Sequence, residues 1–421
     1  MDRQDVIATG LLVLVFALVV TAGYAKGSEP LGVLNSGVTR MPGSSSQFVS
    51  PGEDVPEARS PIAPEFATGT WLKSEPFNRK GLRGSVGVEA AAGFDVSAVN
   101  VRLVTDEADA VLTVLNKRKA NQPIGESDWQ QIFQSEGYVR LKKRETAMKN
   151  PFEDADFKTF VLSDSLAERT RSLEETLERW KSADNLGAAR LALAYLPKEA
   201  QIKVKIYLVI KPRDNSFVFD VKTDPAIFLY LDPTVSREKF ENTLAHELHH
   251  IGYSSSCPSK KTAAELSRLP ENKQAVIRLI GAFGEGFAML AAAGGPDVHP
   301  HAVSSAEERA RWDKDVANFN DDLRKVEKFF LDLLANRLTD DEARKTYASF
   351  FGVQGPWYTV GWKMSVMIEK TFGRARLIQC ICDQRLLLAT YNSAALKHNR
   401  KAKQPLELWA TAVVNGVEVR K

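Results

Sequence analysis

Apolar positions recur with two different periods along this chain, and the periods divide it. Gln201-Ile202-Lys203-Val204-Lys205-Ile206-Tyr207-Leu208 alternates at period two and predicts a half-buried strand. Ser216 to Val221 and Ala226 to Leu231 follow as shorter strands joined by turn residues. Beyond them, Phe240, Leu244, Leu248 and Ile251 recur at helical spacing, with Ser236 as N-cap, Glu238 in the first turn and Gly252 as the stop. A second helix is predicted from about Asn272 to Ala293, apolar nearly all round after Leu279 and therefore buried. Asn320 to Arg337 carries Leu323, Val326, Phe329, Phe330 and Leu333 on one side, and a further amphipathic helix runs from Trp357 to near Gly373. Residues 95–200 read as mainly helical, including one helix from Glu126 and a long charged one from Leu162 to Lys181. The pattern predicts an α+β chain, mainly helical, with a small β-sheet preceding the 236–252 helix.

That helix carries His246-Glu247-Leu248-His249-His250, an HExxH sequence. Residues four apart on an α-helix differ by about 40° in direction and about 6 Å in height, so His246 and His250 share a face and can reach one metal ion. Leu244 and Leu248 point the other way. Glu247 projects beside the imidazoles, where a carboxylate that is not a ligand can act as general base. Neutral imidazole is a good zinc ligand. His249 lies to one side, which suits packing or an orienting role.

A catalytic zinc usually has a third protein ligand. HExxHxxGxxH would need Gly at 253 and His at 256, and the chain has Tyr253 and Ser256 there. The other common solution is a glutamate from a second helix, and Glu265, Glu271 and Glu285 are candidates. Glu285 stands alone in the apolar stretch Gly284-Glu285-Gly286-Phe287-Ala288-Met289-Leu290, where an unpaired charge is expensive. Gly281, Gly284, Gly286 and Ala288 would let another helix approach closely. A salt bridge between Glu285 and Arg278 is the structural alternative, and Glu271, just after Pro270, is the fallback ligand.

HExxH followed on the next helix by Glu-Gly-Phe-Ala resembles the gluzincin clan of zinc peptidases, and within it bacterial families labelled zinc-dependent peptidases. The resemblance covers roughly residues 200–390. It implies His246, His250 and Glu285 as zinc ligands, Glu247 as base, and a peptide or protein substrate. Tyr358-Thr359-Val360-Gly361 resembles the Tyr-x-x-Gly of aminopeptidase-type members, which implies that the Tyr358 phenol donates to the oxyanion. An edge strand holds the substrate backbone in such enzymes, a role that Ala226 to Leu231 could take. The Gly-x-Met-Glu-Asn that binds a free amine is absent, and Met289 stands where thermolysin-like members have Asp.

Composition and charge add a frame. Val6 to Ala25 is about 20 residues of almost continuous apolar sequence, so residues 1–25 read as a signal peptide or N-terminal membrane anchor and the chain as exported: periplasmic, extracellular or membrane-anchored. Residues 26–81 are rich in Ser, Pro and Gly and read as a flexible linker. Residues 82–200 form a helical N-terminal part and 201–421 a zinc peptidase-like part. The net charge of +3 over 421 residues is small and well mixed, which gives no sign of nucleic-acid binding. The basic cluster Arg140, Lys142, Lys143 and Arg144 reads as a solvated helix face, and His299 and His301 as a surface turn. Of the three cysteines, Cys257 could pair with Cys380 or Cys382, although free thiols are the simpler reading. Two other readings stay open: a non-catalytic zinc-stabilised binding protein of the cell envelope, and an envelope protein without metal.

Overall fold

A computed structural model of the chain describes residues 96–418. The apolar segment Val6–Ala25 and the stretch 26–81 lie outside the described residues. The fold class is α+β, mainly helical with one four-stranded sheet among the described residues. The strands are β1 (Val99–Val104), β2 (Ile202–Val209), β3 (Phe217–Phe219) and β4 (Ala226–Tyr230), in spatial order β1-β2-β4-β3. β2 pairs in parallel with β1 and β4, while β3 runs antiparallel to β4. Parallel neighbours need a long crossover, and the helices between Asp106 and Leu193 supply it for β1 and β2.

The period-two pattern of β2 places Ile202, Val204, Ile206 and Leu208 in one core with Leu244, Leu248 and Ile251. On the opposite face Tyr207 stacks on Phe228 with ring centroids 4.7 Å apart, and Phe228 on Phe217 at 5.0 Å. A second apolar core is built from the C-terminal helices around Phe283, Phe330, Trp357 and Trp409. The HExxH helix, Arg237–Ser256, gives its Leu face to the first core. Ser236 caps it, its hydroxyl accepting from the Lys239 amide at 3.1 Å.

Two helices of the second core meet backbone to backbone. Glu271–Ile280, a 3-10 turn at Gly281–Phe283 and Gly284–Ala293 form one apolar stretch. It is long and apolar enough to cross a membrane, but 72 % of its apolar 18-residue window is buried inside the protein. A Cβ on Gly286 would lie 2.0 Å from the Trp362 backbone nitrogen and 2.6 Å from the Tyr358 carbonyl, in helix Pro356–Phe372. A Cβ on Gly361 would lie 2.6 Å from the Phe283 carbonyl. Gly284 has nothing within 4 Å, so Gly286 and Gly361 set this contact, not the whole run of small residues.

Residues 96–200 are mainly helical, as expected, with β1 as an addition that pairs with β2 from beyond position 200. Several expectations are corrected. Ala226–Tyr230 is interior, flanked by β2 and β3, so it does not offer the edge proposed for substrate pairing. The predicted 162–181 helix is broken into Asp164–Ala167 and Thr170–Lys181, where the Thr170 hydroxyl takes the Ala167 carbonyl at 2.7 Å. Gly252 does not end its helix; it is buried mid-helix, where a Cβ would meet Leu196 at 2.4 Å.

The basic cluster is solvated only in part: Lys143 is exposed and Lys142 half-exposed, but Arg140 and Arg144 are buried. Arg140 pairs with Asp224 at 2.5 Å, and Arg144 pairs with Glu145 at 2.5 Å while lying 3.8 Å over the Phe217 ring. It fastens helix Glu136–Ala147 to the sheet. His301 is buried, bonded to Ser304 at 2.9 Å and packed on Trp312 at 5.1 Å, because the Pro296–Pro300 turn folds it inward rather than outward.

Cys257 and Cys382 are disulfide-bonded, and Cys380 is free and buried. Their helices end beside each other, with Cα atoms 4.7 Å apart, a closeness that chain spacing does not reveal. Unfolded but unreduced protein should therefore expose one thiol per chain to a thiol reagent, and three after reduction. Gly286→Ala should lower the unfolding free energy by about 1–3 kcal/mol through overpacking, read as a lower denaturant midpoint, whereas Gly284→Ala leaves the midpoint in place; equal midpoints would contradict the helix contact described.

Candidate metal centre

His246 and His250 project from the HExxH helix toward Glu285, which lies in the first turn of Gly284–Ala293. All three are buried. A carboxylate in that first turn also gains from the helix dipole. The His246 Nε2 and Glu285 Oε2 atoms are 3.2 Å apart, the two Nε2 atoms 3.1 Å, and His250 Nε2 and Glu285 Oε2 3.5 Å. Four ligands at zinc-like distances around a tetrahedral centre are roughly 3.3–3.5 Å apart. The observed triangle matches one face of such a tetrahedron. The donor set, two imidazoles and a carboxylate, also suits a divalent cation of that kind. Among the described residues this is the cluster that could hold a metal ion.

The electrostatics follow from burial. Glu285 loses solvation, yet the neighbouring His250 and His246 outweigh that and lower its carboxyl to about 2. Burial works against a charge on His250, but Glu285 raises its pKa above the usual histidine value. A carboxylate and two imidazole nitrogens thus face one point, where positive charge is favoured.

Glu247 is buried beside the pair. Burial raises its pKa, the two imidazoles pull it down and Glu285 raises it further, with a net upward shift. Such a group takes up a proton more readily than an exposed glutamate. His249 is buried and pushed down to about 3 by burial, so it is neutral. Its ring lies 6.2 Å from that of His250 and off the ligand triangle.

Tyr358, in the first turn of Pro356–Phe372, has its ring 6.5 Å from that of His246 and nearly parallel to it. Its hydroxyl is hydrogen-bonded to the Glu285 carboxylate. Burial, then the charges of Glu285 and Glu247, push its pKa far above the usual phenol value, so it remains a donor. The other acids stand elsewhere: Glu265 pairs with Arg385 at 2.9 Å, and Glu271 begins its helix behind Pro270. Arg278 bonds Gln274 at 3.4 Å. One residue at the site had no sequence signal. Tyr347 lies on a polar helix, yet its buried hydroxyl is under the charge of Glu285.

No curated protein and no solved structure is detectably similar to the chain. A family model does match, over residues 118–400, a span that holds the HExxH helix, Glu285, Tyr347 and Tyr358. The chain belongs to the family described as "Putative zinc dependent peptidase (DUF5700)".

Proposed function

We propose that this chain is a zinc metallopeptidase of gluzincin type, with His246, His250 and Glu285 as ligands and Glu247 as general base. The observation that carries the reading is the 3.1–3.5 Å triangle of buried ligand atoms, with a further buried carboxylate on the residue next to His246. Zinc, when bound there, supplies a Lewis acid for the substrate carbonyl and makes water acidic enough to ionise near neutral pH. Glu247 takes the proton from the attacking water and passes it to the leaving amine. Its burial favours holding that proton between the two transfers. The donor types and the family description support a peptide or protein substrate. The apolar N-terminal segment supports export, and a disulfide fits an oxidising compartment.

A zinc-stabilised binding protein of the cell envelope is the other reading compatible with the same ligands. Glu247→Gln separates the two. The variant should keep one zinc per chain by metal analysis and lose about 10²–10⁴-fold in hydrolysis of a fluorogenic peptide library. His246→Ala should lose the metal. A zinc-loaded wild type that cleaves nothing in the library would favour the binding protein, and a wild type that takes no zinc would remove both.

A further inference from the structure

Helix Asp340–Ser349 brings to the metal centre a phenol that motif spacing does not mark. Tyr347 is 1 % exposed. Its ring is edge-on to Phe351 at 5.1 Å and tilted against Trp357 at 5.7 Å. The Trp357 indole N–H donates to the Tyr347 carbonyl at 3.1 Å, which fixes the base of the side chain. The hydroxyl at the other end has no hydrogen-bond partner among the described residues. An unmet buried hydroxyl costs about 1–3 kcal/mol, and phenylalanine would keep the same packing without that cost.

The orphan hydroxyl lies within electrostatic reach of the ligand cluster. Glu285 acts on it electrostatically, and it acts in turn on Tyr358. Phe351 bridges the two phenols, packing edge-on against Tyr347 and against Tyr358, the latter at 6.5 Å. Tyr358 already spends its hydroxyl on the Glu285 carboxylate. One phenol is engaged by Glu285, and the other is a buried donor without a partner among the described residues.

We propose that Tyr347 donates the hydrogen bond to the oxyanion that develops on the substrate, while Tyr358 holds the Glu285 carboxylate in its metal-binding orientation. This rests on the zinc hydrolase reading. As the water oxygen bonds to the carbonyl carbon, the π pair of the C=O moves onto its oxygen and the water proton goes to Glu247. Tyr347 keeps its own proton and donates a hydrogen bond to the new negative charge, a stabilisation made only as the charge forms. Among the described residues that donor has no other partner to give up.

The test uses the full chain loaded with zinc or cobalt, and acetohydroxamate as an anionic probe of the metal's open side. Tyr347→Phe should keep one metal per chain, the resting cobalt spectrum and a melting temperature equal to or above wild type. Its acetohydroxamate affinity should fall roughly tenfold or more. On the fluorogenic peptide library its kcat should fall on the order of 10²-fold with KM held. Tyr358→Phe should instead alter the resting cobalt spectrum and weaken metal binding. Unchanged acetohydroxamate affinity in Tyr347→Phe would overturn the assignment while leaving the zinc site standing. A lowered melting temperature with lost metal would make Tyr347 merely structural. Absence of metal in the wild type would instead bring down the hydrolase reading beneath it.

Discussion

An ionised carboxylate inside an apolar helical layer is the constraint around which this molecule is organised. Glu285 is 3 % exposed, and taking such a group out of water costs several kcal/mol unless positive charge and donors meet it. The chain meets it with two imidazoles and a phenol, each from a different turn or helix. The two Nε2 atoms lie 3.1 Å apart and both face the same carboxylate oxygen, so the three groups converge on one point. A divalent cation at their centre would meet the buried carboxylate's charge, since it attracts all three atoms.

Holding that geometry requires rigid neighbours, and the two faces of the HExxH helix supply one side of the support. Leu244 and Leu248 lock into the sheet core, so the imidazole face cannot rotate without exposing them. Gly252 lets the same helix lie tight against Leu196 and Ile202. Beyond its end the Cys257–Cys382 bond ties it to the C-terminal helices. On the far side, Gly286 and Gly361 bring the Glu285 and Tyr358 helices within backbone contact, which is what allows a phenol on one helix to reach a carboxylate on the other.

The parts that could be read in the sequence are those where one residue type has few physical alternatives. Two histidines four apart on an amphipathic helix share a face by geometry alone. A lone glutamate in an apolar run needs a partner wherever the run is buried. The parts that could not be read depend on what lies opposite. Val99–Val104 alternates as β2 does, but six residues ahead of a long helical region carry little weight against it. Arg140 and Arg144 look solvated as charges, and only Asp224, Glu145 and the Phe217 ring make them interior residues. His301, likewise, is buried by Trp312 and Ser304, which no local pattern announces.

Tyr358 and Gly361 show how a motif can place residues correctly and still leave their work open. The spacing of three puts both on the side of the helix that meets the Glu285 strip. Gly361 is needed there because the Phe283 carbonyl occupies the space of a side chain. Tyr358, one turn earlier, then lies within reach of Glu285, and its hydroxyl bonds the carboxylate. Resemblance would send that hydroxyl to an oxyanion, yet a donor already paired with a ligand gives up a charge-assisted bond to make another, so the net gain is small. An unpaired donor under the same field has no such loss to offset. Among the described residues around Glu285 the phenol in that position is Tyr347.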